Sequence, residues 1–224
     1  MKNGMKYSLA AIIALIPFGY LLYIYPQLPA TVPTHFGFDG KPDDYSSKQS
    51  LFFSMTMLSL IGIGAFFLLL NIHKIDPKKS SNSPALMAKF AFAVLLLMSV
   101  IQLMIVQSVQ TGTIGFDKFF LPLLGLFFAF LGNLFYSLKP NYFIGIRTPW
   151  ALEDENNWRC THQLAGKLWF AGGLLSAIMS FFFPFKTAMI LFVIITIIIT
   201  LIPFVYSYKI FKRTRLQKNN DLVA

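Results

Sequence analysis

Six stretches of the chain are apolar for the length a membrane helix needs, and the polar positions gather between them. The runs are residues 7–25, 51–72, 90–109, 119–138, 168–183 and 187–208, and none contains Asp, Glu, Lys, Arg or His. A helix rising 1.5 Å per residue crosses a hydrocarbon core of roughly 30 Å in about 20 residues. The pattern therefore predicts an all-α integral membrane protein with six transmembrane helices. The fifth run is short as counted, but its helical pattern continues back into the polar segment before it, which places its first turns at the interface. The first run ends in Tyr-Ile-Tyr-Pro without a small-residue cleavage site, so it reads as a retained anchor and not as a signal peptide.

Composition agrees: of 224 residues, 56% are hydrophobic and only 12% charged. The net charge of +10 raises nucleic acid as a partner, but its distribution points elsewhere. With the N-terminus inside, 15 of the 19 basic residues fall on cytoplasmic segments, and only Lys41, Lys48, Lys118 and Lys186 remain outside. That is the positive-inside bias, so both termini are expected in the cytoplasm (N-in/C-in) at the plasma membrane. The basic charge then serves as a topology signal and a contact for membrane lipids, with no direct nucleic-acid role. The single cysteine, Cys160, excludes an intrachain disulfide.

The connections divide the chain into a two-span N-terminal module (1–72), a cytoplasmic linker (73–89), a four-span module (90–208) and a basic tail (209–224). The outer loop 26–50 contains Pro29, Pro33 and Pro42 around an Asp39-Gly40 turn, which predicts an ordered, hairpin-like loop without long strands. Ser46 and Gln49 have the spacing of a capping box at the entry to the second span. The linker carries Ser-Ser-Asn-Ser-Pro and reads as flexible. Gly172, Ser176 and Ser180 place a stripe of small residues on span five for close approach by a neighbour. Asn133, Gln102 and Gln107 are the notable polar groups inside spans, and each is expected to face protein.

Residues 139–169 carry the most local information. Thr148 before Pro149 is a helix start, with Glu153 to Glu155 near the positive dipole end, so a short interfacial helix is predicted in cytoplasmic segment 139–167. Further on, Trp158, Thr161, His162, Ala165 and Trp169 share one helical stripe, and Arg159, Gln163 and Lys167 the opposite one. On local grounds Trp150, Trp158 and Trp169 read as interface anchors, and Arg147, Arg159 and Lys167 as snorkelling cations.

Gly132-Asn133, the run from Lys139 to Leu152 (Lys-Pro-Asn-Tyr-Phe-Ile-Gly-Ile-Arg-Thr-Pro-Trp-Ala-Leu), Trp158, Thr161-His162 and Gly166-Lys167-Leu-Trp169 resemble the signature of the bacterial SdpI family. Residues 28–43, Leu-Pro-Ala-Thr-Val-Pro-Thr-His-Phe-Gly-Phe-Asp-Gly-Lys-Pro-Asp, resemble the N-terminal DUF1648 module that accompanies it. The resemblance implies a membrane immunity protein that protects the cell against a secreted toxin peptide and relays toxin binding to a cytosolic ArsR-type autorepressor. On that footing His35, Phe36, Asp39 and Asp43 are toxin-facing candidates. Asn141, Arg147, Thr148, Pro149, Trp150, Trp158, Thr161, His162, Gly166 and Lys167 are candidates for the cytoplasmic output surface.

Other classes fit less well. His35 falls outside and His73 and His162 inside, so no catalytic or metal site is expected and no cofactor is called for. An ion-coupled transporter would hold ionisable residues within its spans, which leaves as the alternative a small-molecule or peptide transporter working without them.

Overall fold

A computed structural model describes residues 3–37, 42–78, 81–111 and 115–221. Among them the order is α1 (Asn3–Ile24), a 3-10 turn (Tyr25–Gln27), β1 (Thr31–Phe36), β2 (Pro42–Ser47), α2 (Ser50–Leu70), α3 (Ile72–Ile75), α4 (Pro84–Thr111), α5 (Gly115–Phe135), α6 (Pro149–Glu153), α7 (Glu155–Met179) and α8 (Phe185–Asp221). Every apolar run lies on a helix, because a helix satisfies its backbone groups internally and needs no water to do so. Among the described residues α1, α2, α4, α5 and α8 are long and apolar enough to cross a membrane. α7, which carries the fifth run, is 25 residues long, but its first half from Glu155 to Lys167 is too polar to count by composition.

The polar connections collect at two ends. One end carries the β-hairpin. At the other, which we call the basic end, the end of α3 meets the segment after α5, and α6 and the start of α7 meet the C-terminal half of α8. The principal apolar cluster sits just inside the basic end and draws Ala10, Phe66, Phe90, Phe135, Ala151 and Trp158 from six different helices. The described part of the linker 73–89 is therefore no gap in packing. Instead of hanging free, as its Ser-rich composition suggested, it docks: the Asn82 side chain exchanges two hydrogen bonds with the backbone of Lys139, at 2.8 and 3.0 Å.

The outer loop forms an antiparallel pair, Thr31 opposite Ser47 and Phe36 opposite Pro42, with register shifts on either side of His35. Asp39-Gly40 lies outside the described residues. Val32 is fully buried among Leu28, Leu51, Met55 and Val106, which anchors the hairpin on the ends of α1, α2 and α4. The expected capping box does not form. Ser46 is held in the ladder opposite Val32, and α2 starts only at Ser50 behind Gln49, whose side chain makes no cap bond.

The closest helix crossing is α5 against α7, backbone to backbone. A Cβ on Gly132 would stand 2.7 Å from the Gly166 carbonyl oxygen, and one on Gly125 would stand 2.6 Å from that of Gly173. The stripe expected on α7 lies to one side of this contact. Gly172 faces Ile195 and Ile199 of α8, while Gly166, Gly173 and Ala177 face α5. A helix with two neighbours needs small residues toward both, and spacing-four counting followed only one of them.

Two polar pins tie α4 to the N-terminal helices: Ser99 Oγ donates to the Ile13 carbonyl at 2.8 Å, and Ser59 Oγ donates to Gln102 Oε1 at 3.2 Å. Gln102 faces protein as expected. Asn133 does not and is exposed on the helix surface, and Gln107 lines a cavity between α4 and α5. Asn133 sits in the last turn of α5, where a polar side chain is close to the polar segment that follows and needs no buried partner.

Candidate functional site

At the basic end, residues 139–148 form a turn structure organised by one asparagine. Asn141 is fully buried, and its Oδ1 accepts hydrogen bonds from the backbone N–H of Phe143 at 2.9 Å and Ile144 at 2.7 Å. Its Nδ2 donates to the carbonyls of Lys139 and Ile144. The chain then reverses at Gly145, where φ is +99° and a Cβ would run into His162 Nε2. Only glycine meets both requirements.

His162 lies on α7 before the apolar run 168–183, stacked on the Trp158 indole with ring centroids 4.0 Å apart. Its Nε2 accepts from the Ile146 N–H at 3.0 Å, so the proton is on Nδ1, which donates to the Trp158 carbonyl at 2.9 Å. The neutral ring is thereby used at both nitrogens, and burial lowers its pKa from 6.5 to about 4. Unfolded, the ring takes up a proton near 6.5, so its contribution to stability is complete above that pH and is lost as pH falls from 6.5 toward 4. Between pH 7 and pH 5 the loss is about 2 kcal/mol. Thermal unfolding of the detergent-solubilised protein should follow this slope, and His162→Gln should flatten it; an equal slope in the variant would assign the dependence to other groups.

Trp158 is not an interface anchor: it is 1% exposed, and its indole N–H donates to the Leu138 carbonyl at 2.8 Å. Trp150 and Trp169 are partly buried. Trp150 packs against Phe204, Tyr208 and Phe211 of α8, and Trp169 against Phe128 and Phe135 of α5.

The predicted helix start is observed: Thr148 Oγ1 accepts from the Ala151 N–H at 3.2 Å, with Pro149 in the first turn. The helix ends after Glu153, and a second begins at Glu155, because the Asp154 carboxylate caps α7 by accepting from the N–H of Asn156 and Asn157. Buried behind both helices is a closed hydrogen-bond chain. Thr148 and Ser207 hydroxyls meet at 3.1 Å, Ser207 Oγ donates to Asn157 Oδ1 at 2.8 Å, and Thr161 Oγ1 donates to the same oxygen at 3.0 Å. Asn157 Nδ2 returns a bond to the Ser207 carbonyl at 3.0 Å. Asn157 and Ser207 were not among the sequence candidates. Asp154 directly before a helical stripe was a readable cap signal, but nothing distinguishes Ser207 locally from any helix serine.

The stripe on α7 is borne out in its burial: Trp158, Thr161, His162 and Ala165 are inside, and Arg159 and Lys167 are exposed. Gly166 serves the α5 crossing, and Arg147 reaches back to the Tyr142 carbonyl at 2.6 Å from an exposed position. Lys78, held by the Leu152 carbonyl, joins Lys139, Arg159 and Glu155 around a polar cavity of about 500 Å³. Buried Asp76 binds the chain below it, accepting from the N–H of Lys78 at 3.2 Å and of Tyr142 at 3.4 Å. The output candidates therefore share one region, most of them supporting it from within.

The described toxin-facing candidates are at the opposite end. His35 Nδ1 and Asp43 Oδ1 are 2.6 Å apart across the hairpin, with both side chains more than half exposed. The Phe36 side chain and Asp39 lie outside the described residues. Lys48 braces the hairpin base, donating to the Tyr25 and Leu28 carbonyls while its ammonium lies 4.6 Å over the Tyr25 ring.

Residues 137–207 match the SdpI/YfhL protein family, and residues 12–60 match a domain of unknown function, DUF1648. The first range contains Asn141, Gly145, Thr148, Asn157, His162 and Ser207, the groups that build the basic end. Along its length the chain is similar to the immunity protein SdpI of Bacillus subtilis (strain 168), 24% identical over 208 residues that cover 93% of this chain and 97% of that one. A shorter similarity, 46% over 41 residues, covers 18% of this chain and 22% of an uncharacterized protein of Archaeoglobus fulgidus. No solved structure matches. With this site inside the matched region and long apolar helices around it, the chain is a multi-pass bacterial plasma-membrane protein that is similar to the SdpI/YfhL family over residues 137–207 and to DUF1648 over residues 12–60.

Proposed function

We propose that this is an immunity protein that protects the cell against a secreted antimicrobial toxin peptide, working by binding and not by catalysis. The observation that carries it is the similarity to an immunity protein over 93% of the chain. In this reading all six long helices span the membrane, both termini are cytoplasmic, and the hairpin of β1 and β2 is the outer element. Val32 and Lys48 hold the hairpin rigidly enough to present a fixed polar pair, His35 and Asp43, to a peptide at the outer surface.

The relay reading concerns the basic end, where a cytosolic ArsR-type autorepressor would meet Arg147, Arg159 and Lys167 and the cationic cavity beside Lys78 and Lys139. Movement of α7 is the means available, since it reaches from this surface through the apolar run.

Survival of a sensitive bacterium under toxin challenge tests the proposal. Expression of the wild-type protein should raise survival at least tenfold, and His35→Ala with Asp43→Asn should remove most of that gain at equal membrane abundance. Unchanged survival with the wild-type protein in the membrane defeats immunity toward that peptide; full protection by the double variant defeats only the hairpin as its contact.

A further inference from the structure

α4 and α5 touch near the basic end, where Phe90 stacks on Phe135 with ring centroids 6.4 Å apart, and between their outward faces they leave an open groove. The groove has a volume of about 650 Å³ and walls of Phe92, Leu96 and Val100 on one side and Leu126, Phe127 and Phe130 on the other. Its mouth carries two cations from different helices, Lys6 of α1 and Lys89 of α4, and no carboxylate lines it among the described residues. Past Val100, Leu123 and Leu126 it continues into a second cavity of about 450 Å³ beside Gln107 and Ser108, where no described lining residue is cationic.

The dimensions match one leaflet. Lys89 and Val100 are eleven residues apart, about 16 Å of helix rise, and half of a hydrocarbon core of roughly 30 Å is about 15 Å. We propose that this groove binds an anionic phospholipid from the leaflet at the basic end, one acyl chain along the α4 and α5 walls and the headgroup phosphate between Lys6 and Lys89. The walls offer carbon along the whole length and no side chain with which a peptide backbone could pair, which suits a hydrocarbon chain. Two ammonium groups at the rim supply point charges for a phosphate, and basic pockets between membrane helices are where anionic headgroups bind. The other half of the groove lacks that charge, so only this half selects by headgroup.

Native mass spectrometry of the full chain in mild detergent, offered equal phosphatidylglycerol and phosphatidylcholine of identical acyl chains, tests the site. Two cations favouring an anionic lipid correspond to roughly a 30-fold preference for phosphatidylglycerol. The double variant Lys6→Gln with Lys89→Gln should bring the preference close to unity. Ala93→Phe, which fills the groove without altering charge, should remove the retained lipid of both kinds; should it not fold, Leu96→Trp at the exposed rim makes the same test. Neutralising the tail with Lys212→Gln, Arg213→Gln and Arg215→Gln should leave the bound lipid in place. A preference that survives the lysine variant, that disappears with the tail, or that persists in the filled groove overturns the assignment.

Discussion

Gly132→Ala is expected to be among the most damaging single-methyl substitutions in the protein, while Gly64→Ala is expected to be neutral or slightly stabilising. Both glycines are in apolar helices, and by helix propensity alone alanine is better by about 1 kcal/mol at each. What separates them is the crossing of α5 and α7. The methyl group at Gly132 would press on the Gly166 carbonyl and on the backbone of Trp169, 2.7 and 2.9 Å away, whereas a Cβ at Gly64 meets nothing within 4 Å. The obstacles are backbone atoms, which have no rotamer to escape into, so the helices must separate. Gly125 and Gly173 repeat the contact further along, and separation there forfeits packing over the whole interface. The cost is about 3 kcal/mol, or roughly a 10 °C fall in the thermal midpoint for a chain of this size. Equal midpoints for the two variants would mean that α5 and α7 do not approach as described.

Asn157→Ala is the second large effect expected. Asn157 has no exposed surface and is the common acceptor for the Ser207 and Thr161 hydroxyls, as well as a donor to the Ser207 carbonyl. Alanine leaves two buried hydroxyl donors to find other partners, at about 2 kcal/mol after local adjustment. A double-mutant cycle with Ser207→Ala identifies the cause. Once Asn157 has gone, removing Ser207 Oγ should cost much less than it does in the wild-type protein, and the coupling should exceed about 1 kcal/mol. Strict additivity would show that the two side chains stabilise the fold separately and that α8 is not held to α7 through this bond.

Both effects concern how α7 is held, the helix whose first half lies at the basic end. Its first half carries His162, Asn157 and the exposed Arg159 and Lys167; its second half lies against α5 and α8 in the apolar layer. A displacement transmitted through a glycine crossing is rigid, because backbone contacts leave little slack to absorb it. A signal arriving along the bundle would therefore reach the Asn157 network and the 139–148 turn directly.

Much was legible without coordinates because membrane helices are dictated by local composition. Uncharged runs of sufficient length had to become helices, since lipid offers no partner to an open backbone, and each run lies on one. The Thr148-Pro149 helix start and the inward stripe of Trp158, Thr161 and His162 were equally local and equally readable. Less local readings fared worse. Ser46 and Gln49 have the spacing of a cap, but pairing of β2 with β1 took the residue first; the Ser-rich linker has the composition of a free tether, yet Asn82 found the Lys139 backbone.

The sequence by itself thus determined the solvent of this protein, the position of its helices and the helical face that α7 buries, because each follows from neighbours a few residues away. Only the tertiary structure decided which glycines are contacts, which tryptophans are interior, and that Asn157 and Ser207, fifty positions apart, close one hydrogen-bond chain. Those properties belong to pairs of helices, and neither member of such a pair carries the information alone.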